Sequence, residues 1–255
     1  MFSPLRARAP AYVERIVLTA CLGTLAGAAW LSLWLSEGGG LVHLHHLSRE
    51  AIARPSFLVG FVFSWTVMTV AMMLPTSLPV VATLHRFAAS RRDRWLLLAL
   101  SVSGYLAVWV LVGFLAYAGY IGWLWLASSN AWLSKNASFG GPLLLLVAGA
   151  FQFSALKYRC LEKCRSPFSF VLEHWQGQRE RWQSLRLGLD HGLYCVGCCW
   201  ALMLLMFVVG AGNLVWMFVL ASVMATEKNV SWGRRLSAPV GVALLVWGVV
   251  LLAIS

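Results

Sequence analysis

The chain alternates long apolar runs with short clusters of charge, and this pattern restricts its fold more than any motif does. A segment needs about 20 mostly apolar residues to cross the hydrocarbon layer of a membrane. Seven stretches meet or approach that length: Val13–Ser36, Ser56–Leu84, Trp95–Tyr120, Gly140–Lys157, Leu187–Gly210, Gly212–Glu227 and Ala238–Ile254. The sixth and seventh are short, and polar residues open the fifth. Inside lipid every backbone polar group must be satisfied within the protein, so such segments are helices. Only 11% of residues are charged, against roughly 25% in a soluble domain. The expected fold is an all-α membrane protein, a polytopic bundle of about seven transmembrane helices. It forms one transmembrane domain over residues 1–255, with the first span and a histidine-containing outer loop in 1–55 and the rest of the helical bundle in 56–255.

The net charge of +11 does not point to nucleic acid, because no soluble fold carries a basic face. Instead, the 20 Lys and Arg fall between apolar runs and divide 17 to 3 between alternate connections. Basic residues gather on the cytoplasmic side of a membrane. The N-terminus is therefore expected inside and the C-terminus outside, in a bacterial cytoplasmic (inner) membrane. The apolar stretch Ile16–Leu35 exceeds the core of a cleaved signal peptide, which is about 7–15 residues. Gly23 and Gly27 in it have GxxxG spacing, a hint of close helix packing. Tyr120, Trp123, Trp125 and Trp132 fall where an outer interfacial belt belongs. Between the fourth and fifth spans, Phe168, Val171, Leu172, Trp175, Trp182 and Leu185 recur near helical period. They predict an amphipathic helix on the inner surface, interrupted near Gly177; a basic loop is the alternative.

Chemistry concentrates in the stretch DHGLYCVGCCWALMLLM, Asp190–Met206. On a helix His191, Cys195 and Cys199 fall within about 80° of one face, Met203 and Met206 extend that stripe, and Cys198 flanks it. The fourth span leaves through KYRCLEKCRSP, where Cys160 and Cys164 share one face of one turn. Both groups are expected at the inner surface, where a helical hairpin brings them together. Lys157, Arg159, Lys163 and Arg165 flank the second pair, and nearby cations favour thiolate. Five of the six cysteines are thus expected on the reducing side, where stable disulfides do not form. Cys21 stands alone in the first span and reads as packing.

Other polar and sulfur residues carry weaker signals. Met68 and Met72 share a face with Trp65, with Met73 beside them and Pro75 and Pro79 interrupting the helix. Glu227 either ends the sixth span at the interface or joins a site on the face of Met217 and Met224. Gln152 is expected to hydrogen-bond inside the bundle. His43, His46 and Glu50, with His45 between, form an outer loop or a borderline-metal site. Cysteine also packs well in membranes and methionine fills gaps, so packing is the competing reading throughout.

The segments AMMLP (Ala71–Pro75), LKYRCLEKCRSP (Leu156–Pro167), HGLYCVGCCWALM (His191–Met203) and EK (Glu227–Lys228) together resemble a bacterial family of predicted metal-binding integral membrane proteins, sometimes labelled copper chaperones. The resemblance covers roughly Trp65 to Lys228. It implies metal positions at Cys160, Cys164, Cys195, Cys198 and Cys199, with His191 nearby. Phe151 stands where a tyrosine precedes the glutamine in the family pattern.

The candidate metal ligands are Cys160, Cys164, Cys195, Cys198, Cys199, His191, Met203, Met206 and Met72. Thiolate with thioether is the soft set that suits Cu(I), whereas all-cysteine sites also take Zn²⁺ or an iron–sulfur cluster. CxxCH is absent, so covalent haem is not indicated. The expected function is Cu(I) binding in copper trafficking at or across the membrane, with the bilayer and a soluble metal-carrying protein as partners. Two rivals stand beside it. One is a membrane thiol–disulfide oxidoreductase using Cys195–Cys198 and Cys160–Cys164; the other is a non-catalytic assembly subunit. No hydrolytic triad, phosphate loop or zinc-protease motif occurs, so binding or transport is favoured over catalysis.

Overall fold

A computed structural model of the chain describes residues 5–36, 55–131, 139–209 and 213–254. The histidine loop and Trp132 lie outside the described residues. Among those described no strand occurs. The helices are α1 (Leu5–Ser36), α2 (Pro55–Met72), α3 (Leu78–Phe87), α4 (Arg94–Ser129), α5 (Gly140–Phe151), α6 (Ala155–Arg165), α7 (Pro167–His174), α8 (Glu180–Leu204), α9 (Met206–Val209), α10 (Leu214–Asn229) and α11 (Ser237–Ile254). Short 3₁₀ turns cover Pro75–Ser77 and Gly233–Leu236.

Each of the seven apolar runs contains helix among the described residues. Five helical stretches among the described residues are long and apolar enough to cross a membrane: Ile16–Leu35, Pro55–Met72, Arg94–Ser129, Glu180–Val208 and Gly233–Ile254. Helices α5 and α6 make a sixth if taken as one span bent by 64°. The bend has a local cause. Ser154 stops the helix and restarts it as an N-cap, its hydroxyl accepting from the Lys157 N–H at 3.1 Å. Helix α10 has 16 residues, a rise of about 24 Å, and falls short by length.

The second run breaks at its prolines. Pro75 has no N–H to give to the Ala71 carbonyl, as an unbroken α-helix would require. The Trp30 indole donates to that carbonyl instead, at 3.1 Å. The Met73 carbonyl accepts the hydroxyls of Thr76 at 2.8 Å and Ser77 at 3.2 Å. With these carbonyls satisfied, the turn persists inside the core.

The closest helix contacts lie where side chains vanish. A Cβ at Gly188 of α8 would sit 1.9 Å from the Ser101 carbonyl oxygen of α4, and one at Gly104 would sit 2.6 Å from the Leu185 oxygen. Gly192 faces Val108 in the same seam. Among the described residues nothing lies within 4 Å of a Cβ at Gly23 or Gly27, so they do not make the expected GxxxG contact. Cys21, expected to pack, is exposed.

Charged residues gather where α1, α3, α4 and α8 meet. Glu14 pairs with Arg94 at 2.7 Å and with His85 at 3.4 Å, and Glu180 pairs with Arg91 at 2.5 Å. The segment expected as an inner-surface helix is two helices, α7 and the start of α8. Positive φ values at Gly177 (73°) and Arg179 (50°) turn the chain between them. Phe170 and Val171 are buried with α3 and α8 residues, while Phe168, Leu172 and Trp182 are exposed.

Candidate metal centre

The main core holds seven of the eight methionines and five of the six cysteines. The glycine seam sets its geometry. With α4 and α8 in backbone contact at Gly188 and Gly192, Tyr105 on α4 reaches Cys195, one turn further along α8. The Tyr105 hydroxyl lies 3.1 Å from the Cys195 thiol. The thiols of Cys198 and Cys199 turn back to the Cys195 carbonyl at 3.1 and 2.8 Å. Cys199 also meets the Met73 sulfur at 3.7 Å.

Helix α6 brings the second cysteine pair to this seam. Cys164 meets Cys198, and the Cys160 sulfur packs over Gly197, where a Cβ would come within 2.5 Å. The hairpin contact expected from the sequence is therefore present in the geometry. All five thiols are buried and unbridged.

A lysine completes the pocket. Lys228, at the end of α10, donates to the Cys195 sulfur at 3.0 Å, to the Thr76 hydroxyl at 3.3 Å and to the Met73 sulfur at 3.6 Å. The cations expected to serve the thiols are committed elsewhere. Lys157 is fully buried against Glu227 at 2.8 Å and donates to Gln152. Lys163 pairs with Glu173 at 2.9 Å. Arg165 donates to the carbonyls of Glu227 and Ser231, and Arg159 is exposed. Glu227 does not end its helix at an interface; it is buried and also accepts from Ser237 at 2.7 Å. Gln152 is a buried hydrogen-bonding residue, as expected.

His191 stacks on Tyr105 with centroids 5.3 Å apart, and its Nε2 is buried with no hydrogen-bond partner among the described residues. Asp190 turns the other way, to His174 at 2.8 Å and Arg186 at 3.6 Å. Met203 and Met206 are fully buried further along the same core. Met72 is buried too, but its neighbour Met73 faces the thiols. Phe151, in the place of the family tyrosine, packs edge-on against Trp200 at 5.0 Å.

Sequence reasoning missed Tyr105, Thr76, Met73 and Lys228 as pocket residues. Only the Glu227–Lys228 pair closing an apolar run and the proline after Met73 hinted at them. Among the described residues, no three His, Cys, Asp or Glu side chains are arranged to hold a metal ion. The pocket is instead a cluster of thiols and one thioether around an ammonium. Soft, polarisable sulfur suits a soft ion.

Fold and site together define a class: an all-helical protein with helices of membrane-crossing length and a core lined by thiols and thioethers. Residues 62–251 match a family model (PpoB2) described as copper chaperone, and the chain belongs to that family. No curated protein and no solved structure matches it. The family description points to a copper-related role.

Proposed function

We propose that this is a multi-pass protein of the bacterial inner membrane that binds Cu(I) through its buried thiols and passes it to or from a soluble carrier. The observation that carries this reading is the convergence of Cys195, Cys199 and Met73 in a core otherwise closed to water. Two thiols and a thioether make a low-coordinate sulfur set, which suits Cu(I). Zinc structural sites take four N or S ligands instead. Cys164 and Cys198 extend the sulfur set toward α6, and Cys160 stands at its edge. His191 places a ring nitrogen one turn before Cys195. Met203 and Met206 continue the sulfur line along α8 and α9, a route for an ion moving from thiols to thioethers.

The topology proposed with it has seven crossings, with α5–α6 as one bent crossing and α10 as a short one. The N-terminus is inside and the C-terminus outside. The 17-to-3 division of basic residues supports this orientation, and the ion pairs Glu14–Arg94 and Arg91–Glu180 support a common side for these helix ends.

Metal analysis of purified protein, reconstituted with Cu(I) under reducing conditions, tests the reading. Stoichiometric copper is expected in wild type and in Cys21→Ser, with loss in Cys195→Ser and Cys199→Ser. Wild-type protein that stays metal-free overturns it. A disulfide between Cys164 and Cys198 that turns over with a quinone favours the oxidoreductase instead.

A further inference from the structure

We propose that Lys228 sets the charge of the ion this pocket accepts, admitting monovalent soft cations in preference to divalent ones. The inference rests on the copper reading above. Lys228 is buried, and its ammonium touches Cys195, Met73 and Thr76. Among the described residues no carboxylate lies within ion-pair distance of it: Glu227, its neighbour in sequence, is turned to Lys157. Tyr105 and His191 face the same pocket from α4 and α8. The ammonium is thus an uncompensated positive charge placed against the proposed ligands.

The charge balance of the loaded pocket follows. When Cu⁺ enters between Cys195 and Cys199, two S–H bonds break, two S–Cu bonds form, and two protons leave. The complex carries one negative charge, and the Lys228 ammonium beside Cys195 neutralises it. A divalent ion on the same two thiolates is already neutral, so Lys228 leaves the pocket with a net positive charge. With both thiols protonated the empty pocket carries that same charge; Cu⁺ binding removes it and divalent binding does not, and a buried net charge is strongly disfavoured. A divalent ion reaches the neutral balance that Cu⁺ reaches only by ionising a third thiol, with Cys198 the adjacent candidate and three protons leaving, so its binding costs one more deprotonation than that of Cu⁺. Thioether alone does not make this distinction, because it carries no charge. Lys228 is in this sense a specificity residue: it acts on the bound ion through the field at the sulfurs.

The test uses full-length protein in detergent, with Cu(I) and Zn²⁺ affinities each measured by chelator competition. Lys228→Gln is expected to shift the Cu(I)-to-Zn²⁺ affinity ratio toward zinc by about tenfold or more, the scale of one close charge contact in a partly shielded site. Lys228→Arg, which keeps the charge, is expected to stay near wild type. An unchanged ratio in a folded Lys228→Gln protein overturns the proposal, as does an arginine variant that behaves like glutamine. A second measurement needs no variant. In wild-type protein Ag⁺ should displace Cu(I), while Cd²⁺, thiophilic but divalent, should compete poorly. Cd²⁺ displacing Cu(I) as readily as Ag⁺ also overturns the proposal. Wild-type protein that binds none of these ions defeats the copper reading itself, a distinct outcome.

Discussion

Lys157 on α6 and Glu227 on α10 form an ion pair at 2.8 Å with neither side chain reaching the surface. Together with Arg165, which donates to the Glu227 and Ser231 carbonyls, the pair clamps α6 to the end of α10. That clamp holds Cys160 and Cys164 against α8. Removing one partner of a buried pair strands the other charge, at about 3–5 kcal/mol. Lys157→Met is therefore expected to lower unfolding stability by that amount. The double variant Lys157→Met/Glu227→Leu should recover most of it, because neither charge then remains. Denaturant titration of the two variants checks this; equal losses in both would refute it.

Gly188 and Gly23 make opposite predictions from the same residue type. A Cβ at position 188 would meet a backbone oxygen at 1.9 Å, whereas one at position 23 meets nothing within 4 Å. Gly188→Ala is expected to force α4 and α8 apart, with a loss of about 1–3 kcal/mol or more. It should also separate Tyr105 from Cys195. Gly23→Ala should be neutral or stabilising by up to about 1 kcal/mol, the helix-propensity difference. Thermal unfolding of the two variants side by side decides the matter.

Trp30 supplies the donor that Pro75 withholds from Ala71. Trp30→Phe keeps most of the packing but leaves the buried Ala71 carbonyl without its indole partner. The expected loss is about 1–3 kcal/mol, the desolvation cost of a buried unpaired acceptor. Ser32→Ala removes only a half-buried hydroxyl bond to Ala29 and should cost about 1 kcal/mol or less. If the two variants unfold alike, the indole is not holding the broken turn.

His85 should make the fold sensitive to mild acid. Burial holds its pKa below the ordinary 6.5, outweighing the attraction of Glu14, while Arg94 lowers it further. A folded-state pKa below the unfolded one means that the unfolded chain binds more protons in the interval between them. The stabilisation is then complete above pH 6.5 and is lost as pH falls toward the folded value. The melting temperature is expected to decline below about pH 6.5, and His85→Phe should flatten that decline. An acid limb of equal slope in the variant would rule His85 out as its source.

Much of this arrangement is legible in the sequence, for reasons tied to particular residues. Cys160 and Cys164 are one turn apart, as are Cys195 and Cys199, so each pair shares a face wherever its helix forms. Pro75 and Pro79 announced a break in the second run. What escaped was orientation. GxxxG spacing marked Gly23 and Gly27, but the pattern cannot say which face meets a partner, and the tight seam is at Gly188 and Gly192. Met72 fitted an ideal helical stripe, yet that helix ends at Met72 and the turn at Pro75 presents Met73 to the thiols. Lysine at the end of an apolar run ordinarily reaches outward to water, so the Glu227–Lys228 pair hints at a site without saying that Lys228 points inward. The cations around Cys160 and Cys164 were the visible candidates, and each has another partner or faces out.

Glu227 and Lys228 are consecutive residues, and they send opposite charges into two different side-chain clusters of the interior. One peptide link thus joins the anchorage of α6 to the floor of the sulfur pocket. Any slide or rotation of this turn displaces both at once.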